Sequence, residues 1–133
     1  MSQENGTKKV ILVVDDDPML LTLYKRLFNN KGMEVLLAQD GQEGLELIRQ
    51  EKPAFVILDI RMPKLDGLSA LKIMKANKEL RDVPVMVLTN YGNEEYREEA
   101  QKLGVVDFLV KTNIDPSGLV KKVSDYLSGK TTN

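Results

Sequence analysis

Ala54-Phe55-Val56-Ile57-Leu58-Asp59, followed by Ile60-Arg61-Met62-Pro63-Lys64-Leu65-Asp66-Gly67, is the stretch that decides the fold. Five apolar residues in succession, with no polar alternation, suit a strand buried on both faces, as in a parallel sheet. The run stops at a carboxylate. A loop containing proline then leads into a segment where Leu68, Leu71 and Met74 recur at helical spacing. Four more apolar runs, at 10–14, 35–38, 85–88 and 105–110, predict strands of the same kind.

Helical spacing fills the intervals: Leu20, Leu23, Tyr24, Leu27 and Phe28; Leu45 and Ile48; Tyr96, Ala100 and Leu103; Leu119, Val123 and Leu127. The punctuation agrees. Asp17-Pro18 and Asp115-Pro116 each read as an N-cap followed by proline at the first helical position. Gly32 and Gly104 stand where helices should end. Alternating strands and helices imply right-handed βαβ units and a doubly wound sheet. Ligands of such sheets bind beyond the carboxyl ends of the strands. Those ends carry Asp15-Asp16-Asp17, Asp59, Thr89 and Lys111. Any one of them could simply end a strand, but together they form a constellation.

Composition removes other chemistries. The 133 residues suffice for one ordinary domain. The absence of cysteine and histidine excludes thiolate and imidazole catalysis or ligation within this chain. With 19 basic against 20 acidic residues, no basic nucleic-acid surface is expected. No apolar run approaches the ~18 residues of a membrane span, and the polar N-terminus lacks a signal-peptide core. A cytoplasmic chain is expected. Residues 1–8 are expected to be a disordered lead-in, 9–128 the domain and 129–133 a disordered tail.

Three carboxylates at one rim repel each other unless a cation sits among them. Oxygen donors alone imply a hard cation, and Mg²⁺ suits best because it keeps waters and phosphate oxygens as ligands. A lysine and a hydroxyl at the same rim suit a phosphoryl group. One carboxylate would then be the nucleophile, forming an acyl phosphate.

The runs Leu12-Val13-Val14-Asp15-Asp16 and Leu58 to Gly67, with the Leu88-Thr89 and Val110-Lys111 steps, resemble the response-regulator receiver family over residues 8 to 128. The resemblance implies a flavodoxin-like sheet of order 2-1-3-4-5 with five helices, like that of the stand-alone CheY-like class. It implies that Asp59 is the phosphoacceptor, that Asp16 is a direct Mg²⁺ ligand, and that Asp15 acts through a metal-bound water. The backbone carbonyl of Arg61 is the further ligand, and Mn²⁺ is able to substitute. Thr89 and Lys111 are implied to bind the phosphoryl group, and Phe108 to be the switch aromatic that turns inward. The output face is the fourth helix, fifth strand and fifth helix. Asp66 is implied to cap the third helix. The partners implied are a sensor histidine kinase or a histidine phosphotransfer protein, and a downstream protein target. No nucleic acid or membrane is expected, and no enzymatic turnover beyond its own phosphorylation and dephosphorylation.

The sequence departs from the family in places. Thr112 replaces the proline that usually follows the lysine, which leaves open a cis bond costing ~2.5–4 kcal/mol before a non-proline residue. Asn90 stands at a position that is usually small. The resemblance implies that Arg61 and Tyr91 flank the approach of hydrolytic water, and neither is a good group for positioning it. These three residues are therefore candidate modulators of phosphate lifetime. Plainer readings compete: Asp16 as helix-terminal charge, Asp17 as a cap, Lys111 as a solvated rim lysine, and Phe108 as core. Two rival functions were weighed. Asp15-x-Asp17 resembles the nucleophile motif of haloacid-dehalogenase-like phosphatases, although no second acidic motif follows Lys111. A pseudo-receiver would keep the fold without the chemistry. A piece of a hybrid kinase would read the same way.

Overall fold

The computed structural model describes residues 9–129, so the expectations for 1–8 and 130–133 lie outside the described residues. Five parallel strands, β1 (Val10–Val14), β2 (Glu34–Ala38), β3 (Phe55–Leu58), β4 (Val85–Thr89) and β5 (Asp107–Val110), form one sheet in the order β2-β1-β3-β4-β5. The helices are α1 (Pro18–Asn30), α2 (Gly41–Glu51), α3 (Gly67–Ala76), α4 (Glu94–Lys102) and α5 (Pro116–Leu127), and a 3₁₀ turn spans Lys111–Asn113. This is the flavodoxin-like α/β fold with the expected order. No described helix is long and apolar enough to cross a membrane.

Alternation along the strands builds two cores. Ile11, Val13, Phe55, Ile57, Met86 and Leu88 pack with residues of α1 and α5. Leu12, Val14, Val56, Leu58 and Val85 pack with α2 and α3 on the opposite face. Full burial of β3 on both faces explains why its run shows no alternation.

The caps fall where the sequence puts them. Asp17 Oδ1 accepts the Met19 and Leu20 N–H groups at 3.0 and 3.4 Å. Asp66 and Asp115 accept from Ser69 and Gly118 at 2.8 and 2.7 Å. Gly32 and Gly104 both have φ +83°, and each follows a helix as the left-handed residue of a Schellman closure.

The structure differs from the sequence reading in the buried stripe of α1 and in strand ends, β2 starting one residue earlier at Glu34 and β4 running one further to Thr89. Helix α1 buries Leu21, Tyr24 and Phe28, while Leu20, Leu23 and Leu27 are only partly buried. Tyr24 and Phe28 are buried as the spacing implied, while Leu21 takes the place of Leu20, because the sheet and α5 together set which side of the helix faces inward. Strand β3 starts one residue later than predicted. Strand β5 starts at Asp107 rather than 105, because the Val105 N–H is spent on the Ala100 carbonyl in closing α4.

Register sets the rim. Val14 pairs with Leu58, Leu58 with Val87, and Thr89 with Val110. Asp15, Asp59 and Lys111 each follow such a paired residue. The loop after β3 is folded tightly: Gly67 N–H donates to the Ile60 carbonyl at 2.7 Å, and a Cβ on Gly67 would overlap the Asp59 carbonyl oxygen. That obstacle is backbone and cannot rotate away. Gly67→Ala should therefore lower stability by about 2 kcal/mol, within the usual range for overpacking. Urea unfolding of the two proteins measures it.

Candidate functional site

The Asp59 N–H donates to the Val14 carbonyl at 3.0 Å, which fixes Asp59 beside the end of β1. Its carboxylate is 5% exposed, and both oxygens are engaged. Oδ1 accepts from the Ile60 N–H at 2.7 Å, and Oδ2 accepts from Lys111 Nζ at 3.1 Å. Asp15 is also buried; its Oδ1 accepts from the Asp17 N–H at 3.0 Å, and its Oδ2 lies 2.7 Å from Lys111 Nζ. One ammonium thus serves two buried acids. Asp16 is exposed, yet it offers a carboxylate oxygen within 4.8 Å of those of Asp15 and Asp59. Asp17 points away to cap α1. The Asp-x-Asp pair that a phosphatase would need is therefore not assembled.

The ion pair looks different from its two ends. Burial pushes the Asp15 carboxyl up, and the nearby Asp59 charge adds to that. Lys111 and the Asp17 N–H pull it down without overcoming the rise. Burial pulls Lys111 down, but its hydrogen bonds and charge contacts with Asp15 and Asp59 outweigh this and raise it. Two acids satisfy one ammonium, while half an ammonium does not satisfy a buried acid. The all-oxygen donor set and this residual negative charge fit a hard divalent cation held by Asp15, Asp16 and Asp59.

Thr89 ends β4, the strand next to β3, and is fully buried. Its Oγ1 accepts the Tyr91 N–H at 3.2 Å, and its own O–H donates to no described residue. Arg61 and Asn90 are exposed. Tyr91 is 43% exposed, and the Arg61 guanidinium lies 4.8 Å from the centre of its ring. These long side chains rest on one another across the two loops that flank Asp59. The Lys111–Thr112 peptide is trans, which closes the question that Thr112 raised.

Phe108 lies in a third buried cluster. It is already buried against Ile60, Leu68, Val87 and Ala100, with the Arg97 guanidinium 4.7 Å from its ring centre. The ring is therefore inside in this structure. A phenyl ring has no hydroxyl to desolvate, and a cation over its face adds attraction. Arg97 was invisible to sequence reasoning, since it stands in an acidic helical stretch. Its position three residues after Glu94 gives no signal of a ring packed beneath it. The Ile60 N–H on Asp59 was missed as well, since backbone donors leave no mark in a sequence.

Known proteins agree with this geometry. Residues 11–124 match the response regulator receiver domain model. PilH of Pseudomonas aeruginosa is 34% identical over 119 residues, which cover 90% of this chain and 98% of PilH. A CheY-like receiver domain protein from Methanospirillum hungatei superposes with a TM-score of 0.84 at 28% identity, covering 92% and 96% of the two chains. The phosphorylated form of the cyanobacterial phytochrome response regulator RcpA gives 0.83 at 27% identity, covering 94% and 98%.

The Asp15 shift carries a stability consequence with a definite sign. Its folded value lies above the ordinary 3.8, so the folded state holds the proton more tightly than the unfolded one. The resulting stabilisation is complete below the unfolded value and is lost as pH rises through the folded value. Without metal, Asp15→Asn should therefore gain stability at about pH 7, and the gain should shrink toward about pH 4. Thermal unfolding in a chelator at both pH values checks this, and an equal gain at both would refute it.

Proposed function

The chain belongs to the response regulator receiver domain family, and on that premise we propose that it accepts a phosphoryl group on Asp59 and signals through the face of α4, β5 and α5. Receiver domains are signalling modules of two-component systems rather than enzymes that turn over outside substrates. One observation carries the reading: the buried Asp59 carboxylate shares Lys111 with Asp15, and one oxygen from each of Asp15, Asp16 and Asp59 falls within 4.8 Å. The phosphorylated form of the similar RcpA supports it.

In this reading an Asp59 oxygen attacks the phosphorus of a phosphohistidine on a sensor kinase or phosphotransfer protein. The O–P bond forms as the N–P bond breaks, and the imidazole leaves with the electron pair. Asp16, Asp59 and the Arg61 carbonyl would hold Mg²⁺ or Mn²⁺, with Asp15 reaching it through a water. The cation, when bound, supplies neutralisation of the charge crowded on the phosphoryl oxygens. Lys111 exchanges a carboxylate for a phosphoryl oxygen. The O–H of Thr89, which donates to no described residue, turns to another. Since Phe108 is already inside, the change reaches α4 through the Thr89–Tyr91 hydrogen bond and the Arg97–Phe108 stack. That is a two-state element biased by differential contacts. A cytoplasmic setting and a protein target, without nucleic acid or membrane, go with this reading.

Intact-mass spectrometry after acetyl phosphate and Mg²⁺ should show one added phosphoryl group. The group should be absent without the metal and absent in Asp59→Asn. Undiminished labelling of Asp59→Asn would move the acceptor elsewhere.

The lifetime of the acyl phosphate is set by in-line attack of water. Arg61 has only donors, and here it lies against the Tyr91 ring; Asn90 adds bulk beside Thr89. Slow self-dephosphorylation follows. The double variant Arg61→Asn, Tyr91→Glu removes the stack and supplies groups that orient water. It should lose phosphate several-fold faster, equivalent to about 1 kcal/mol or more of barrier. Decay rates measured after removing the phosphodonor, with Mg²⁺ present, decide it; equal rates would clear both side chains of the role.

A further inference from the structure

Tyr24 belongs to the inward stripe of α1 and is 3% exposed. Its ring packs 6.4 Å from that of Phe28 in the core shared by α1, α5 and the sheet. Leu109 and Ile114, which bracket Lys111 along the chain, pack against the same core. Side chains of a helix lean toward its N-terminus, and the N-terminus of α1 is the Asp15–Asp17 rim. That lean directs the phenol end of Tyr24 toward this rim. The electrostatics agree. Burial pushes the Tyr24 hydroxyl up to about 12, with Lys111, Asp15 and Asp115 as the charges it feels. It is a neutral dipole at any working pH.

This hydroxyl has no hydrogen-bond partner among the described residues. A buried polar group left unpaired is costly, and native structures usually keep one only for a reason. Lys111 has the complementary deficit. An ammonium carries three N–H donors, and its contacts are with two carboxylates, Asp15 and Asp59. The Tyr24 hydroxyl is thus an acceptor without a partner among the described residues, and the Lys111 ammonium keeps one N–H donor beyond its two carboxylates.

We propose that the Tyr24 hydroxyl is a positioning group for the Lys111 ammonium, accepting one of its N–H bonds once the Asp15 and Asp59 oxygens turn to other partners. The inference rests on the reading of Asp59 as phosphoacceptor. A divalent cation among the three acids takes over the charge that now holds Lys111 and repels the ammonium at the same time. The amine at the end of four methylenes must then find a phosphoryl oxygen. A hydroxyl fixed from below keeps it pointed across the site, so less freedom is lost when the phosphoryl group arrives. The β5–α5 connection, which lacks the family's proline and runs through a 3₁₀ turn at Lys111–Asn113, is seated by Ile114 on the core that contains Tyr24.

The test compares the full chain with its Tyr24→Phe variant, which keeps the ring and removes only the oxygen. Three quantities are read: the melting temperature in chelator, the rate of phosphorylation by acetyl phosphate as a function of Mg²⁺, and the water exchange of the Lys111 ammonium by ¹⁵N NMR in Mg²⁺-loaded protein. The melting temperature should be unchanged or higher. The Mg²⁺ concentration for half-maximal rate should stay put, while the maximal rate falls about five-fold or more. The Lys111 ammonium should exchange faster in the variant. A purely structural tyrosine would move the melting temperature and leave the ammonium alone. A clear drop in melting temperature would show that the hydroxyl is already hydrogen-bonded at rest and would overturn the proposal; so would an unchanged maximal rate or unchanged Lys111 exchange. Should the wild type take up no phosphoryl group at all, the reading of Asp59 fails, and the Mg²⁺-loaded NMR comparison still decides the role of Tyr24.

Discussion

The ammonium of Lys111 stands between two buried carboxylates, 2.7 Å from Asp15 and 3.1 Å from Asp59. Most of what is distinctive here depends on that sharing. Two acids in a low-dielectric rim cannot both be satisfied by one cation, and the structure registers this as an Asp15 carboxyl raised above its ordinary range beside a lysine that is raised as well. The rim is therefore poised to take up a second positive charge. In the proposed reading it also hands its lysine to the arriving phosphoryl group. The scaffold supplies the precision. Strand register puts Val14, Leu58 and Val87 level, and the Gly67 contact with the Asp59 carbonyl clamps the loop that would otherwise let the acceptor drift.

Around this charge cluster, the loops are tied to each other more than to the core. Thr89 holds the Tyr91 N–H, the Tyr91 ring carries Arg61, and Phe108 carries Arg97. Helix α4 buries only Ala100 of its own residues. Its other ties include the partly buried Tyr96, the Arg97 stack and the exposed Lys72–Glu99 ion pair to α3, the last of a kind that contributes little on its own. An element with so few buried apolar contacts sits at the low end of local stability. In the proposed reading a change at Thr89 shifts such a helix, whereas α1 is seated through Leu21, Tyr24 and Phe28 on the large core. The same asymmetry separates a site that must stay fixed from a face that must move.

Much of this was legible along the chain. Apolar runs without alternation fixed the buried parallel strands, Asp-Pro pairs fixed two helix starts, and Gly32 and Gly104 fixed two helix ends, because each rests on chemistry within a few residues. The acids, hydroxyl and amine at the strand ends were legible for the same reason, since a doubly wound sheet brings its carboxyl ends to one rim whatever the intervening helices contain. Tertiary packing alone decided the rest. It chose Leu21 over Leu20 on α1, because rotation of an apolar helix is set by the surface beneath it. It shortened β5, because Val105 was claimed by the closure of α4. It made Lys111 a shared partner, buried Phe108 under Arg97, stacked Arg61 on Tyr91 and left the Tyr24 hydroxyl without a hydrogen-bond partner among the described residues. Each of these is a distance between residues remote in the chain, and sequence spacing carries no information about such distances until the strands are in register.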